Sequence, residues 1–295
     1  MYYNANMKQY DQVYIRESEV MQVIILHNLY SLKESNDIFF QGGTAIRLCY
    51  NGRRFSEDLD FVSHLTSDKI ALLLKSITGQ VRNGLVAHYG RGELELTEKG
   101  RSRESMYSAF FRFQPEGSQR KISVKLEFEG LRENSKPLIN RMILYMLPVV
   151  RQMLVSGEFV MPNLSSIIMV QTPEEILSDK IRAIFERTYL KGRDFYDIWY
   201  LSSIFNIKCD PQLVMKKIEM YRTTFRSLRS PVFFLKPGKN DKGVIIDAIN
   251  QDLERFLPAQ ELEIFSQDRF KAFFNSLKNV VLHVQDIEQF KQSRR

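Results

Sequence analysis

Between Lys121 and Glu129 the chain alternates without a break. Ile122, Val124, Leu126 and Phe128 fall on one side; Ser123, Lys125, Glu127 and Glu129 fall on the other. Successive side chains of a strand point to opposite faces, so the pattern predicts a strand with one face in a core and the other toward water. Such a strand needs neighbours for its main-chain groups. Residues 38–40, 59–62, 94–96, 109–113 and 167–170 are short apolar runs of strand type, and they supply the rest of a sheet. The stretch 97–105 is polar and reads as the separator between two of them.

Helical spacing appears beside these strands and then replaces them. Residues 17–33, 44–50 and 67–81 carry apolar side chains at helical intervals. At Thr172-Pro173-Glu174-Glu175 the sequence has the form of a capping box with proline at the first helical position. Ile176, Leu177, Ile181, Ile184 and Phe185 follow at helical spacing, and residues 194–204, 244–256 and 268–282 read as further helices. The expected fold class is α+β: a mixed sheet with flanking helices over residues 1–172, then a mostly helical half over 173–295. No repeat or low-complexity segment interrupts it.

Two constellations carry chemistry. In the first, Gln41-Gly42-Gly43-Thr44 joins a strand to a helix, and Asp58-Leu59-Asp60 follows on a strand. Glycines let the main chain approach a phosphate closely, and a helix N-terminus offers N–H groups to an anion. Asp58 and Asp60, two apart on a strand, aim at one spot while Leu59 enters the core. Paired carboxylates repel unless a cation lies between them, and magnesium takes such oxygen ligands together with substrate phosphates. Glu127 is the third candidate ligand. The plainer alternatives are a structural Gly-Gly turn, a solvated acidic strand end and an ordinary half-exposed strand face.

The second constellation is helical. Lys180 and Arg187 are seven apart and share a helix face, as do Asp194 and Asp197, three apart. Arg193 stands four before Asp197, the spacing of an intrahelical ion pair. Taken singly, each fits a solvated helix face. Taken together, Lys180 as a point charge and Arg187 as a bidentate clamp suit a triphosphate.

These residues resemble the nucleotidyltransferase AbiEii/AbiGii toxin family, within the DNA-polymerase-β-like nucleotidyltransferase superfamily. The superfamily pattern reads here as Gly42-Gly43, Asp58-x-Asp60 and Glu127. The narrower resemblance rests on Gly42-Gly43-Thr44-Ala45 with Arg54-Phe55-Ser56-Glu57-Asp58-Leu59-Asp60, and on the run from Glu174 through Lys180 to Ala183, continuing as Lys191-Gly192-Arg193-Asp194-Phe195-Tyr196-Asp197. The later carboxylate is often aspartate in the family; Glu127 is one methylene longer. The resemblance implies a nucleotidyltransferase-type sheet domain over 1–172 and a helical domain over 173–295 that completes the active site and binds the acceptor. It implies a catalytic set of Asp58, Asp60, Lys180 and Asp197. Asp58, Asp60 and Glu127 would hold Mg2+. Gly42, Gly43, Thr44, Lys180, Arg187, Arg193 and Asp194 would bind the nucleoside triphosphate. It also implies a toxin with a cognate antitoxin and a transfer RNA 3′ end as acceptor. A protein or small-molecule acceptor, and a catalytically silent binding module of the same fold, are the rival expectations.

Composition agrees with a nucleic-acid partner. The net charge is +7, the sequence pI is about 9.2, and a Lys/Arg excess attracts polyanions. Arg222, Arg226, Arg229, Lys236, Lys239 and Lys242 cluster with Tyr221, Phe225, Phe233 and Phe234 interleaved, a mixture suited to phosphate contact and base stacking; the plainer alternatives are a solvated basic surface and aromatics that belong to the core. Cys49 and Cys209 have no CxxC spacing and read as buried thiols of a reducing compartment. His27, His64, His88 and His283 are scattered and suggest no zinc site. Residues 1–19 hold no signal-peptide core, and the longest apolar run, 142–150, is too short to span a bilayer. The expectation is a cytoplasmic protein with no membrane attachment.

Overall fold

The computed structural model describes residues 10–102, 105–160 and 164–291. The start of the polar N-terminal stretch, before Tyr10, lies outside the described residues, as do residues 103 and 104 of the polar stretch 97–105. The chain divides into two compact units, one of Val13–Thr172 with Met220–Thr223, the other built chiefly from Pro173–Glu219 and the chain after Thr224.

The first unit is a seven-stranded mixed sheet with helices. In chain order it holds α1 (Gln12–Tyr30), β1 (Ile38–Gln41), α2 (Gly42–Cys49), β2 (Asp58–Ser63), α3 (Ser67–Tyr89), β3 (Gly92–Ser102), β4 (Met106–Pro115), β5 (Ile122–Gly130), β6 (Ile139–Ile143), α4 (Pro148–Val155) and β7 (Ile167–Gln171). The strand order is β3-β4-β5-β2-β1-β7-β6. β2 runs antiparallel to β1 and parallel to β5, and β1 runs parallel to β7.

Alternation decides the faces. Leu59, Phe61, Leu126 and Phe128 are buried, whereas Asp58, Asp60, Lys125 and Glu127 between them keep partial exposure. On the buried face Phe61 stacks on Phe128 at 4.8 Å and meets Phe40 at 5.5 Å. Each such ring contributes about 1.5–3 kcal/mol by burial, which pins the β1-β2-β5 register against a one-residue slip.

Two expectations are corrected here. Residues 97–105 do not separate two short strands: β3 and β4 form one long hairpin, paired from Gly92↔Pro115 to Ser102↔Met106, with a register shift between Glu98 and Gly100. β3 is a sheet edge with polar side chains, so its low hydropathy hid it. The apolar run 142–150 ends β6, passes a short 3-10 turn at Leu144–Met146 and begins α4. Cys49 is buried, but Cys209 is only half-buried. Burial foremost, then the neighbouring Asp210 charge, push the Cys209 thiol up to about 12.

The second unit is helical among its described residues. It contains α5 (Pro173–Glu186), α6 (Gly192–Trp199), α7 (Pro211–Met220), α8 (Pro231–Leu235), α9 (Lys239–Phe256), α10 (Ala259–Gln267) and α11 (Lys271–Val284). The helix expected over 194–204 begins earlier, at Gly192, and ends in a π-helical turn, Tyr200–Ile204. Gly192 permits close packing of α6 on α9, because a Cβ there would collide with the Ala248 carbonyl. Tyr196 and Trp199 lie against Phe273 at 5.8 and 5.3 Å, so one side of α6 is an aromatic core. The other side carries Asp194 and Asp197, both buried. Among the described residues no helix is long and apolar enough to cross a membrane.

Candidate active site

The turn from β1 into α2 is built around missing side chains. Gly42 has φ +78°, a left-handed conformation that side chains disfavour, and a Cβ there would strike the Asp60 carboxylate. A Cβ on Gly43 would strike the Arg54 guanidinium and come within 2.9 Å of Ser56 Oγ. Gln41 makes no side-chain cap on α2. The first turn of α2 thus lies against the Asp60 carboxylate, the Arg54 guanidinium and the Ser56 hydroxyl. Thr44 is fully buried, and its hydroxyl donates to the Asp58 carbonyl. Its side chain ties α2 to β2, which leaves only its main-chain N–H for a ligand.

β2 presents the carboxylates. Asp58 and Asp60 share its half-exposed face, with Leu59 fully buried between them. The parallel register sets Asp60 beside Glu127 and Asp58 beside Lys125. The antiparallel register on the other side sets Asp60 beside Gln41. The Glu127 carboxylate is 2.5 Å from Lys125 Nζ. Among the described residues no three His, Cys, Asp or Glu side chains are gathered closely enough to hold a metal ion. The donor set still fits a hard divalent cation: two carboxylates on one strand face, a third in register on the next strand, and the paired-glycine helix start for phosphate oxygens. Glu127 would have to exchange Lys125 for the cation.

The loop before β2 is braced by groups that sequence reasoning missed. Glu19, fully buried in α1, pairs with Arg47 of α2 at 2.7 Å and with Arg16 at 3.0 Å. Arg47 also donates to the Gly52 carbonyl at 3.0 Å. Gln22 donates to the Ser56 carbonyl at 2.8 Å, and Arg54, 2% exposed, donates to the Phe55 carbonyl. The signal available was a charged residue inside an apolar helix stripe, which Glu19 is.

In the helical unit, Lys180 of α5 lies 3.0 Å from Asp194 Oδ1 and 2.7 Å from Asp197 Oδ2. Arg187 reaches the other Asp194 oxygen at 2.5 Å. The four residues form one network rather than separate surface charges. Burial raises the Asp194 pKa, but Arg187 and Lys180, with Arg193 behind them, outweigh it and hold the carboxyl well below its usual range. The Arg193 guanidinium lies over the Phe256 ring, 5.4 Å from its centroid, and the Arg193 N–H donates to Asp252 at 3.3 Å. A second network had no reading in the sequence. Lys217, fully buried, pairs with Glu175 at 2.6 Å and Asp179 at 2.8 Å. Glu175 thus holds a buried lysine besides standing in the first turn of α5.

The basic-aromatic stretch does not form the single surface expected. Arg222, in the sheet unit, donates to the His64 carbonyl at 2.9 Å. Arg229, in the helical unit, donates to the carbonyls of Ile184 at 3.3 Å, Thr188 at 3.0 Å and Arg187. Tyr221 and Phe234 are fully buried, so neither can stack on a base. Phe225 packs on Phe290 at 5.6 Å. Arg226, Lys236, Lys239 and Lys242 remain exposed.

Comparison with known proteins gives the fold and the family. Two solved structures share the fold: a nucleotidyltransferase candidate from H. pylori, 19% identical with TM-score 0.55 over 97% of this chain and 99% of that one, and JHP933 from Helicobacter pylori, 20% identical with TM-score 0.54 over 96% of each. No protein of curated function matches the sequence. The profile of the nucleotidyl transferase AbiEii toxins of type IV toxin–antitoxin systems matches residues 24–291, nearly the whole chain, and this protein belongs to that family of nucleotidyltransferases.

Proposed function

We propose that this nucleotidyltransferase moves a nucleotide from a nucleoside triphosphate to the 3′ end of a transfer RNA, with Mg2+ bound at Asp58 and Asp60, as the toxin of a toxin–antitoxin pair in the cytoplasm. The observation that carries the reading is the carboxylate row of Asp58, Asp60 and Glu127 beside the paired-glycine start of α2.

Bound there, Mg2+ would supply charge neutralisation at the α-phosphate and the leaving pyrophosphate. The chain's own groups do the rest. The N–H groups of Gly42, Gly43 and Thr44 bind triphosphate oxygens at a helix start. Within the helical unit Asp194 and Asp197 fix the Lys180 ammonium in place, and Lys180 with Arg187 is the cation pair that the family resemblance assigns to the triphosphate. Arg193 adds positive charge next to Asp194. The acceptor 3′-hydroxyl attacks the α-phosphorus in line; the bond to pyrophosphate breaks, and the hydroxyl proton passes to a nearby carboxylate or to water. RNA as acceptor is supported by the charge excess of +7 and by the exposed Arg226, Lys236, Lys239 and Lys242.

Incubation with total RNA and each labelled triphosphate, with Mg2+ or with chelator, followed by sizing and end-sequencing, tests the proposal. Magnesium-dependent label at transfer RNA 3′ ends is expected. Label appearing only on protein or a small molecule would overturn the acceptor; label that survives chelation would overturn the metal. Absence of label in every acceptor pool would favour a silent binding module.

A further inference from the structure

The sheet ends on two unlike edges. β3 carries Glu93, Glu95, Glu98 and Lys99 and a register shift, the charged and irregular form that keeps an edge from pairing. β6 pairs without a register shift, and Arg141 is its one charged residue. It contains no acidic residue, Arg141 and Ile143 are exposed, and exposed Leu138, Tyr145 and Met146 flank it. At the two ends of its ladder with β7, the Leu138 carbonyl accepts from Thr172 and the Leu144 N–H donates to Ser166. Main-chain groups alternate sides along an antiparallel strand. Asn140 and Met142 therefore turn theirs toward β7, and Ile139, Arg141 and Ile143 turn theirs outward.

The side chains of Ile139, Arg141 and Ile143 share one face. On it Arg141 borders a cavity of about 500 Å³ whose wall includes His27, Asn36, Ser31, Ser165 and Ser166. Ser166 Oγ lies 2.8 Å from His27 Nδ1 and 3.1 Å from Ser31 Oγ, so these groups largely satisfy one another. No acidic side chain lines the cavity among the described residues. Arg141 supplies its fixed charge.

We propose that β6 accepts an added strand: an extended segment of another protein, with apolar residues opposite Ile139 and Ile143 and an aspartate or glutamate opposite Arg141, its carboxylate entering the cavity. Main-chain hydrogen bonds give such a pairing its hold, and alternate side chains give it specificity. A second copy of β6 fits worse, because antiparallel pairing about the strand centre would oppose Arg141 to Arg141, and like charges directly opposite destabilise a pair. β6 is three strand positions from β2, about 14 Å at about 4.8 Å per strand, so the segment and the aspartate pair occupy separate parts of the sheet. The inference holds whatever the acceptor of the nucleotide is.

The probe is an end-capped seven-residue peptide with valine second and sixth, glutamate at the centre, and threonine elsewhere. Its partners are a lysine-centred peptide and a version N-methylated at the amides that would pair. Hydrogen exchange on the full chain should slow at Ile139, Arg141 and Ile143 and stay unchanged at Asn140 and Met142. The lysine peptide should bind about tenfold more weakly or less well still, and the methylated one should lose protection altogether. Arg141→Glu should reverse the preference between glutamate and lysine peptides while nucleotidyl transfer stays at the wild-type rate. Unchanged exchange at the three outward amides overturns the proposal. So does a peptide preference that Arg141→Glu leaves unaltered, or a dimer in sedimentation that Ile143→Glu dissociates.

Discussion

Gly42 answers to two demands at once: a left-handed φ and a carboxylate where its Cβ would be. Gly42→Ala should cost about 1–3 kcal/mol and displace Asp60, and transfer activity should fall further than stability alone accounts for. Chemical unfolding beside initial rates checks this; activity at the wild-type level in the folded variant would detach the turn from the chemistry. Asp58 and Asp60 are half-exposed, and neither has a left-handed φ to maintain. Asp58→Ala and Asp60→Ala should each lower transfer on the order of a thousandfold with little change in melting temperature. Wild-type activity in both would remove the metal site. These residues were legible in the sequence because their meaning is local: a glycine pair at a strand end and a period of two. Glu127 is different. Its place beside Asp60 depends on β5 pairing with β2, and no local pattern contains that register. Thr44 was legible as part of the turn, but the direction of its hydroxyl, toward the Asp58 carbonyl, was not.

At the scale of elements, α5 and α6 bring four charged residues into one network, with Asp194 and Asp197 at 1% and 0% exposure. Spacing along each helix showed which residues share a face; it could not show that the two faces meet, or that the charges are buried, since buried Lys and Asp are rare unless paired. The same holds for Lys217, which reads as an ordinary surface lysine until Glu175 and Asp179 close around it. Asp194→Asn removes the partner of Lys180 and Arg187, and breaking a buried pair costs about 3–5 kcal/mol. The pH dependence follows from the sign of the shift. The folded Asp194 pKa is depressed by Arg187 and Lys180 against the opposing effect of burial. Its stabilisation is therefore complete above the unfolded carboxyl pKa of about 3.9 and is lost as pH falls toward the folded value. Urea unfolding should show the full gap between wild type and Asp194→Asn at pH 7 and a narrower one at pH 3. An equal gap at both would mean the ionised carboxylate is not what stabilises the helical unit. Asp197→Asn, which leaves the Arg187–Asp194 pair in place, should lower turnover through a loosened Lys180, and added magnesium should not restore it.

For the molecule as a whole, the charge excess has to be divided between structure and binding before it says anything about a partner. A net +7 and a run of arginines suggested one RNA-binding surface, but composition does not say where a guanidinium points. Arg229 holds the end of α5 through three carbonyls, and Arg222 holds the His64 carbonyl in the other unit. That leaves Arg226, Lys236, Lys239 and Lys242 as the exposed cations of the stretch. If they neutralise RNA phosphates, each contact contributes about 0.7–0.9 to the slope of log affinity against log salt. Replacing Lys236, Lys239 and Lys242 together with glutamine should flatten the slope for transfer RNA by about two, at most about three, with the triphosphate KM unchanged. Arg229→Gln should do the opposite: it leaves three carbonyls without their donor, so the melting temperature should drop while the salt slope stays. Filter binding across a salt series, with unfolding of both variants, separates the two roles. An unaltered slope in the triple variant would move the RNA surface away from α8 and α9, and a flattened slope in Arg229→Gln would return that arginine to the binding surface.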